Sequence, residues 1–278
     1  MDNLGTESRI GPWQVFRRGP QESDHRALLL PGGFCTALTY IDVVAEPTLT
    51  EARIETWAAN PPGFGQNAAP DRFGYATTDY ADLIEEFAQA EALDTLVGHS
   101  LSANVLIEVA ARNNYSGKII LLDPCLRYRN EYRGVRLLRR AEMIPPLARR
   151  LYVAAGKNVR RSMQGLVRPD RLDMIVDDMQ RVPPEENRAV INGYFDHLET
   201  YGSLAKRLAD ARGDVHFVRG DAESIGFDRE DIQSVVAQEN VVTHTITGSD
   251  HMTMLDNPPE VAALIASVAT HSYLRDAS

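Results

Sequence analysis

Short apolar runs alternate along the chain with longer stretches whose apolar residues recur at helical spacing. The first run, residues 27–30 (ALLL), stops at Pro31-Gly32-Gly33, a turn where missing side chains let the backbone approach a neighbour closely. A second, 54–59, ends at Asn60-Pro61-Pro62-Gly63-Phe64-Gly65. Residues 78–93 place Leu83, Phe87 and Ala90 on one helical face behind a Thr/Asp start, which predicts a helix. The segment 95–97 predicts a strand, and 103–111 predicts a helix directly after it. Three further apolar runs, 118–122 (KIILL), 214–218 (DVHFV) and 241–246 (VVTHTI), predict strands, and a last helix is expected from Pro259 to about Tyr273. Parallel neighbours cannot be joined by hairpins, so strands separated by helices predict an α/β fold with a mostly parallel, twisted central sheet flanked by helices.

Residues 127–200 break this rhythm. They read as several helices punctuated by Pro145-Pro146 and Pro183-Pro184, with no strand pattern. The expected organisation is a core made of 1–126 and 201–278 with an inserted helical cap over 127–200. The 278-residue length suits one large domain with such an insertion better than two domains.

Composition narrows the function more than the fold. Hydrophobic residues make up 44% and charged residues 24%, as expected of a globular protein. The net charge of −10 repels phosphate backbones, so nucleic acid is not the expected partner. No window approaches 18 uninterrupted apolar residues, and the first residues carry no basic stretch followed by an apolar core; a cytoplasmic protein without membrane partner is expected. Two cysteines, Cys35 and Cys125, are too few for a disulfide framework or a cysteine-rich metal site, and both are expected to be reduced, partly buried thiols. The stretch 127–171 holds twelve Arg and one Lys against Glu131, Glu142 and Asp170, a local balance of 13 − 3 = +10. Guanidinium groups suit carboxylate or phosphate, so a coenzyme A ester or an acidic carrier protein is a possible substrate carrier; a solvated or acid-paired face is the plainer explanation.

The candidate chemistry centres on Gly98-His99-Ser100-Leu101-Ser102, a G-x-S-x-S stretch between an expected strand and an expected helix. A serine on so tight a turn projects its hydroxyl from the sheet edge, and residues two positions away must be small because helix and strand nearly touch. Serine needs a base to remove its proton, and the base needs a carboxylate to orient it. Of seven histidines, His251 lies in Gly248-Ser249-Asp250-His251-Met252, a loop after the last strand from which a side chain can reach over the sheet edge. The other six, His99 included, are expected in core or surface roles. Phe64 and Met252 are candidate pocket-lining residues.

These motifs together resemble the α/β-hydrolase superfamily from about residue 27 to 275. LLLPGGF resembles its oxyanion loop, NPPGFG the loop after its fourth strand, LVGHSLSA its nucleophile elbow with Ser102 where a second glycine is usual, and GSDHMTMLDNP its histidine loop. The resemblance implies the chain order nucleophile, acid, histidine; hydrolysis through such a set needs no metal or organic cofactor, and none is expected. For the acid, the family's spacing selects Glu223 within Val218-Arg219-Gly220-Asp221-Ala222-Glu223. Asp221 competes with it, and so does Asp123, because thioesterase domains of the superfamily carry the acid after the equivalent of the 118–122 strand. The oxyanion donors implied are the amide of Leu101 and that of Gly33 or Phe34. The leading expectation is hydrolysis of a small-molecule ester or thioester through an acyl-enzyme on Ser100. C–C bond cleavage or lyase chemistry in the same pocket, and a ligand receptor that retains the fold with little turnover, are the other two readings.

Overall fold

The computed structural model describes residues 4–20, 22–223 and 225–271. Eight strands form one sheet: β1 (Thr6–Ile10), β2 (Trp13–Arg18), β3 (His25–Leu30), β4 (Ile54–Asn60), β5 (Thr95–His99), β6 (Lys118–Leu122), β7 (Val215–Gly220) and β8 (Val241–Ile246). Their order across the sheet is β1-β2-β4-β3-β5-β6-β7-β8, with β2 antiparallel to both of its neighbours, β1 and β4, and all other neighbouring pairs parallel. The helices are α1 (Pro47–Glu51), α2 (Thr77–Ala90), α3 (Leu101–Arg112), α4 (Arg133–Ala141), α5 (Pro145–Lys157), α6 (Val159–Met163), α7 (Pro169–Met179), α8 (Pro184–Tyr201), α9 (Leu204–Leu208), α10 (Arg229–Val236), α11 (Thr253–Asp256) and α12 (Pro258–Thr270).

The continuous apolar character of the central strands has a simple cause: both faces of the sheet are covered. Successive residues of β3 alternate between two cores, Leu28 and Leu30 packing with α2 and α3 on one face, Ala27 and Leu29 with α12 on the other. In β6, Ile119 and Leu121 join the first core while Ile120 and Leu122 join the second. The expected strands and flanking helices are all present, with ends displaced by a few residues. The last helix is described to Thr270; Tyr273 lies outside the described residues.

The N-terminal β1–β2 pair has no counterpart in the sequence-based expectation. It joins the sheet through β2, whose Trp13 and Val15 point into the core and whose Trp13 stacks on Phe87 of α2 at 4.7 Å. The helices α4 to α8 lie between β6 and β7 and form the cap, and among the described residues no strand interrupts them. No helix of the described residues is long and apolar enough to cross a membrane.

Strand register places the chemistry. Leu30 pairs with Gly98, His99 with Leu122, and Leu122 with Val218, so β3, β5, β6 and β7 end along one edge. The loops leaving these carboxyl ends carry Gly33, Ser100, Asp123 and Glu223, at the edge where open α/β sheets bind ligands.

Candidate active site

Ser100 occupies the single residue between β5 and α3, with φ 49° and ψ −111°, a conformation that costs free energy for any side chain. Surrounding bonds hold it there: its N–H donates to Leu122 O at 2.8 Å, and its carbonyl accepts from Asn104 N–H at 3.0 Å. Gly98 has no alternative, since a Cβ there would sit 2.7 Å from the backbone of Ser102. Ser102 fits the place usually taken by glycine because its hydroxyl turns away and donates to Pro31 O.

His251 arrives from the loop after β8. His251 is 6% exposed, and its Nε2 lies 3.1 Å from Ser100 Oγ. On the other side of the ring, Nδ1 stands 3.3 Å from the Glu223 carboxylate, whose side chain is 5% exposed. The structure therefore brings Ser100, His251 and Glu223 into one row. Asp221 does not reach the imidazole. It sits on the surface and accepts the Ser249 N–H at 3.1 Å, anchoring the histidine loop, and bonds from backbone amides hold its carboxyl below the usual carboxylate range. Asp123 is fully buried behind the row and binds Gly220 N–H and Thr253 Oγ1 rather than His251.

A pocket of about 100 Å³ surrounds Ser100. Gly33, Phe34, Leu101 and Met252 all line it. Leu101 opens α3, so its amide is one of the first-turn donors that a helix leaves unpaired. Phe34 has φ 63°, which turns its backbone sharply beside the serine. Phe64 is elsewhere. Its ring meets Tyr80 edge-on at 6.0 Å within the core under α2, because the Gly63 and Gly65 turns fold that loop back on itself; it does not line the Ser100 pocket.

Two residues of the site escape sequence reasoning. His99 does not merely fill space: its Nε2 donates to the carbonyl of His251 at 2.7 Å, fastening the histidine loop to the elbow. Burial and the neighbouring imidazole hold its pKa well below the ordinary value, so the ring is neutral. A Cβ on Gly32 would stand 2.5 Å from His99 Nδ1, so the glycine there is required by this ring. Glu131 also lines the pocket, 7% exposed, accepting from Tyr132 N–H at 2.8 Å and Tyr194 Oη–H at 2.7 Å. Neither had a sequence signal; His99 gains its partner only when a loop 152 positions away closes over it. Cys35 lines the pocket as well, but burial raises its thiol to about 12, which leaves it unreactive.

The family model described as the alpha/beta hydrolase family matches residues 27–264. The chain belongs to that family. Among solved structures this alpha/beta hydrolase is similar to a DbjA mutant (16% identity, 92% of this chain and 93% of that one, TM-score 0.73). It is also similar to epoxide hydrolase A from Mycobacterium thermoresistibile (16% identity, 95% and 97% covered, TM-score 0.71). A third likeness is to a thioesterase domain from the curacin biosynthetic pathway (17% identity, 94% and 98% covered, TM-score 0.66). At such identities the likeness speaks for the fold alone. Comparison with curated proteins gives no match.

Beyond Ser100, the cap forms a second, larger cavity of about 360 Å³, lined chiefly by apolar side chains of α4 to α6 such as Leu138, Tyr152, Val159 and Met163. It shares Phe34, Tyr132, Val135, Met163 and Leu166 with the Ser100 pocket, so the two adjoin. The arginines of 127–171 are largely accounted for by acids: seven of the twelve are ion-paired, among them Arg127 with Asp231 of α10 at 2.5 Å and Arg171 with Asp42, between β3 and α1, at 2.8 Å, both acids lying outside residues 127–200.

Proposed function

We propose that this protein hydrolyses a small-molecule ester or thioester, with Ser100 as nucleophile, His251 as proton carrier and Glu223 as the carboxylate that orients the imidazole. The observation that carries the reading is the row of 3.1 and 3.3 Å contacts linking hydroxyl, imidazole and carboxylate. In that row His251 Nε2 accepts the Ser100 proton as Oγ attacks the carbonyl carbon, and returns it to the departing alcohol or thiol. Water then repeats the sequence, giving its proton to His251 and releasing the acid with restoration of the serine. In this reading the amide of Leu101 and that of Gly33 or Phe34 stabilise the oxyanion, each such donor being worth about 3 kcal/mol in barrier height.

A serine at the elbow favours acyl chemistry over displacement at a saturated carbon. Attack on an epoxide or an alkyl halide would leave a serine ether, which water and an imidazole do not cleave, whereas attack on an acyl group leaves an ester that they do. The apolar cap cavity suits the hydrocarbon part of the substrate. Delivery on coenzyme A or a carrier protein is a narrower form of the same reading, supported by arginines such as Arg140 and Arg150 that stand exposed on α4 and α5.

The test is a panel of p-nitrophenyl esters and acyl-CoA thioesters of graded chain length, with fluorophosphonate labelling, on the wild type and on Ser100→Ala. Turnover with a stoichiometric burst of leaving group is expected, with labelling that disappears in the variant. Labelling without a burst, alongside cleavage of a C–C bond or elimination, would move the protein to lyase-type chemistry. Saturable ligand binding indifferent to Ser100→Ala, with no product and no label, would make it a receptor.

A further inference from the structure

The cap carries an apolar and basic surface that the row of Ser100, His251 and Glu223 does not use. Among the described residues seven large apolar side chains stand exposed, and five of them, Leu137, Met143, Ile144, Leu147 and Val153, belong to α4, α5 and the turn between them. Met143 in that turn is 89% exposed, and every residue from it to Leu147 is exposed. Apolar side chains grouped in this way mark a contact surface. Helical spacing gives each of the two helices an inner and an outer face. Val135 and Leu138 of α4, with Tyr152 and Ala155 of α5, line the cap cavity. Leu137 shares the outer face of α4 with Arg133 and Arg140, and Leu147 shares that of α5 with Arg150 and Lys157. All six are exposed, and the four cations form no ion pair among the described residues. Residues 133–161 hold eight Arg and one Lys against Glu142, a balance of 9 − 1 = +8 in a chain of −10. Acids of α7 and α8 pair with Arg139, Arg149 and Arg160, and Glu142 is itself paired with Arg188 at 2.6 Å, so the outer faces stay basic.

We propose that the outer face of the α4–α5 hairpin docks on an anionic lipid bilayer, with Met143 and Ile144 entering the acyl boundary and Arg133, Arg140, Arg150 and Lys157 meeting the headgroup anions. Apolar residues interleaved with long cationic ones suit that boundary, because an arginine stem lies along the apolar layer while its guanidinium reaches the headgroups. A second copy of this chain would bring the same positive charge to the contact. The arginines alone would equally suit coenzyme A or an acidic protein; the apolar residues between them decide for lipid. A protein partner would need a pocket to receive the projecting turn, whereas a bilayer receives it without one. Such a contact needs no membrane-spanning helix, and it departs from the sequence-based expectation of no membrane partner. The docking is independent of the hydrolase reading; only the delivery of a lipid-soluble ester to the cavity behind the hairpin rests on it.

Vesicle flotation of the full chain tests the contact without any turnover. Binding to phosphatidylcholine–phosphatidylserine vesicles is expected to exceed binding to phosphatidylcholine alone by about tenfold or more, and to weaken as NaCl is raised. Arg140→Glu with Arg150→Glu is expected to lower it about tenfold, and so is Met143→Ser with Ile144→Ser. These side chains are exposed, so an unchanged urea midpoint is expected in both variants. Insertion has its own readout. Cys35 and Cys125 are buried, so a thiol-reactive NBD dye attaches at Met143→Cys. Its emission is expected to shift to the blue on anionic vesicles and to be quenched by doxyl-labelled lipid, while the same dye at Glu86→Cys on α2 stays unshifted. Equal binding to both kinds of vesicle, binding that survives either pair of substitutions, or an unshifted dye at position 143 overturns the proposal. A dye that responds to an acidic carrier protein but not to vesicles also overturns it and gives this face to a protein partner.

Discussion

At residue scale the site depends on contacts that lock one loop against another. The bond from His99 to the carbonyl of His251 is the clearest case, since it is buried and spans the elbow and the histidine loop. His99→Phe keeps the ring volume beside Gly32 and removes the donor, leaving the His251 carbonyl unpaired at a cost of about 1–3 kcal/mol. A lowered urea midpoint is expected, with kcat reduced about tenfold and KM changed little, because the imidazole is displaced rather than the pocket. Unchanged kcat would mean that the loop holds its position without this bond. Much of this site was legible in the chain itself. Ser100 and His251 each sit in a short stretch whose glycines and small residues announce a tight turn, so local chemistry marked them, whereas Glu223 stood out from Asp221 and Asp123 only through the spacing of the family that the chain resembles. His99, Glu131 and Asp123 owe their surroundings to segments far away in sequence, and Phe64, in a stretch just as rich in turn residues, packs into the core under α2 instead.

At the scale of elements, legibility followed the strength of periodicity. The central strands were readable because two covered faces demand unbroken apolar runs. The short β1 was not, because its TESRI sequence lies at the sheet edge and is largely solvated. The cap helices were readable as helices, but not the hollow between them. That hollow is argued to hold the substrate's apolar part, and Gly156 offers a way to fill it: it lines the cavity, and a Cβ there meets nothing within 4 Å. Gly156→Leu is expected to raise helix stability by roughly 0.5–1 kcal/mol. It is also expected to shift the preferred acyl chain toward shorter lengths, with kcat/KM for long chains falling about tenfold relative to acetyl. An unaltered chain-length profile would place the acyl group outside the cap.

For the whole molecule, the buried histidines make stability depend on acid. Burial holds His99 well below its ordinary value of 6.5, and burial brings His197 and His244 to about 4. In each case the unfolded chain takes up the proton first as pH falls. Stability conferred by the neutral ring is therefore complete above about pH 6.5 and is lost as pH descends toward 4, at about 1.4 kcal/mol per pH unit for each fully buried group. Buried carboxyls raised above their usual range, Asp178 and Asp256 among them, work in the opposite sense, since their protonation in the fold relieves a penalty. A global acid titration therefore mixes the two, and a single histidine has to be isolated. His197 serves: it is 7% exposed on α8, packs against Tyr201 at 4.9 Å, and lies near Glu108, whose charge favours its protonation, and near Arg207 and Arg112, whose charges oppose it, while burial outweighs all three. Urea unfolding of the wild type and His197→Gln at pH 7 and pH 5 isolates its share. The variant is expected to be the less stable at pH 7, through lost packing, and to recover up to about 2 kcal/mol of that deficit at pH 5, where only the wild type has a ring that the unfolded chain protonates and the fold keeps neutral. A deficit that stays constant between the two pH values would mean that His197 takes up its proton as readily in the folded protein as in the unfolded chain.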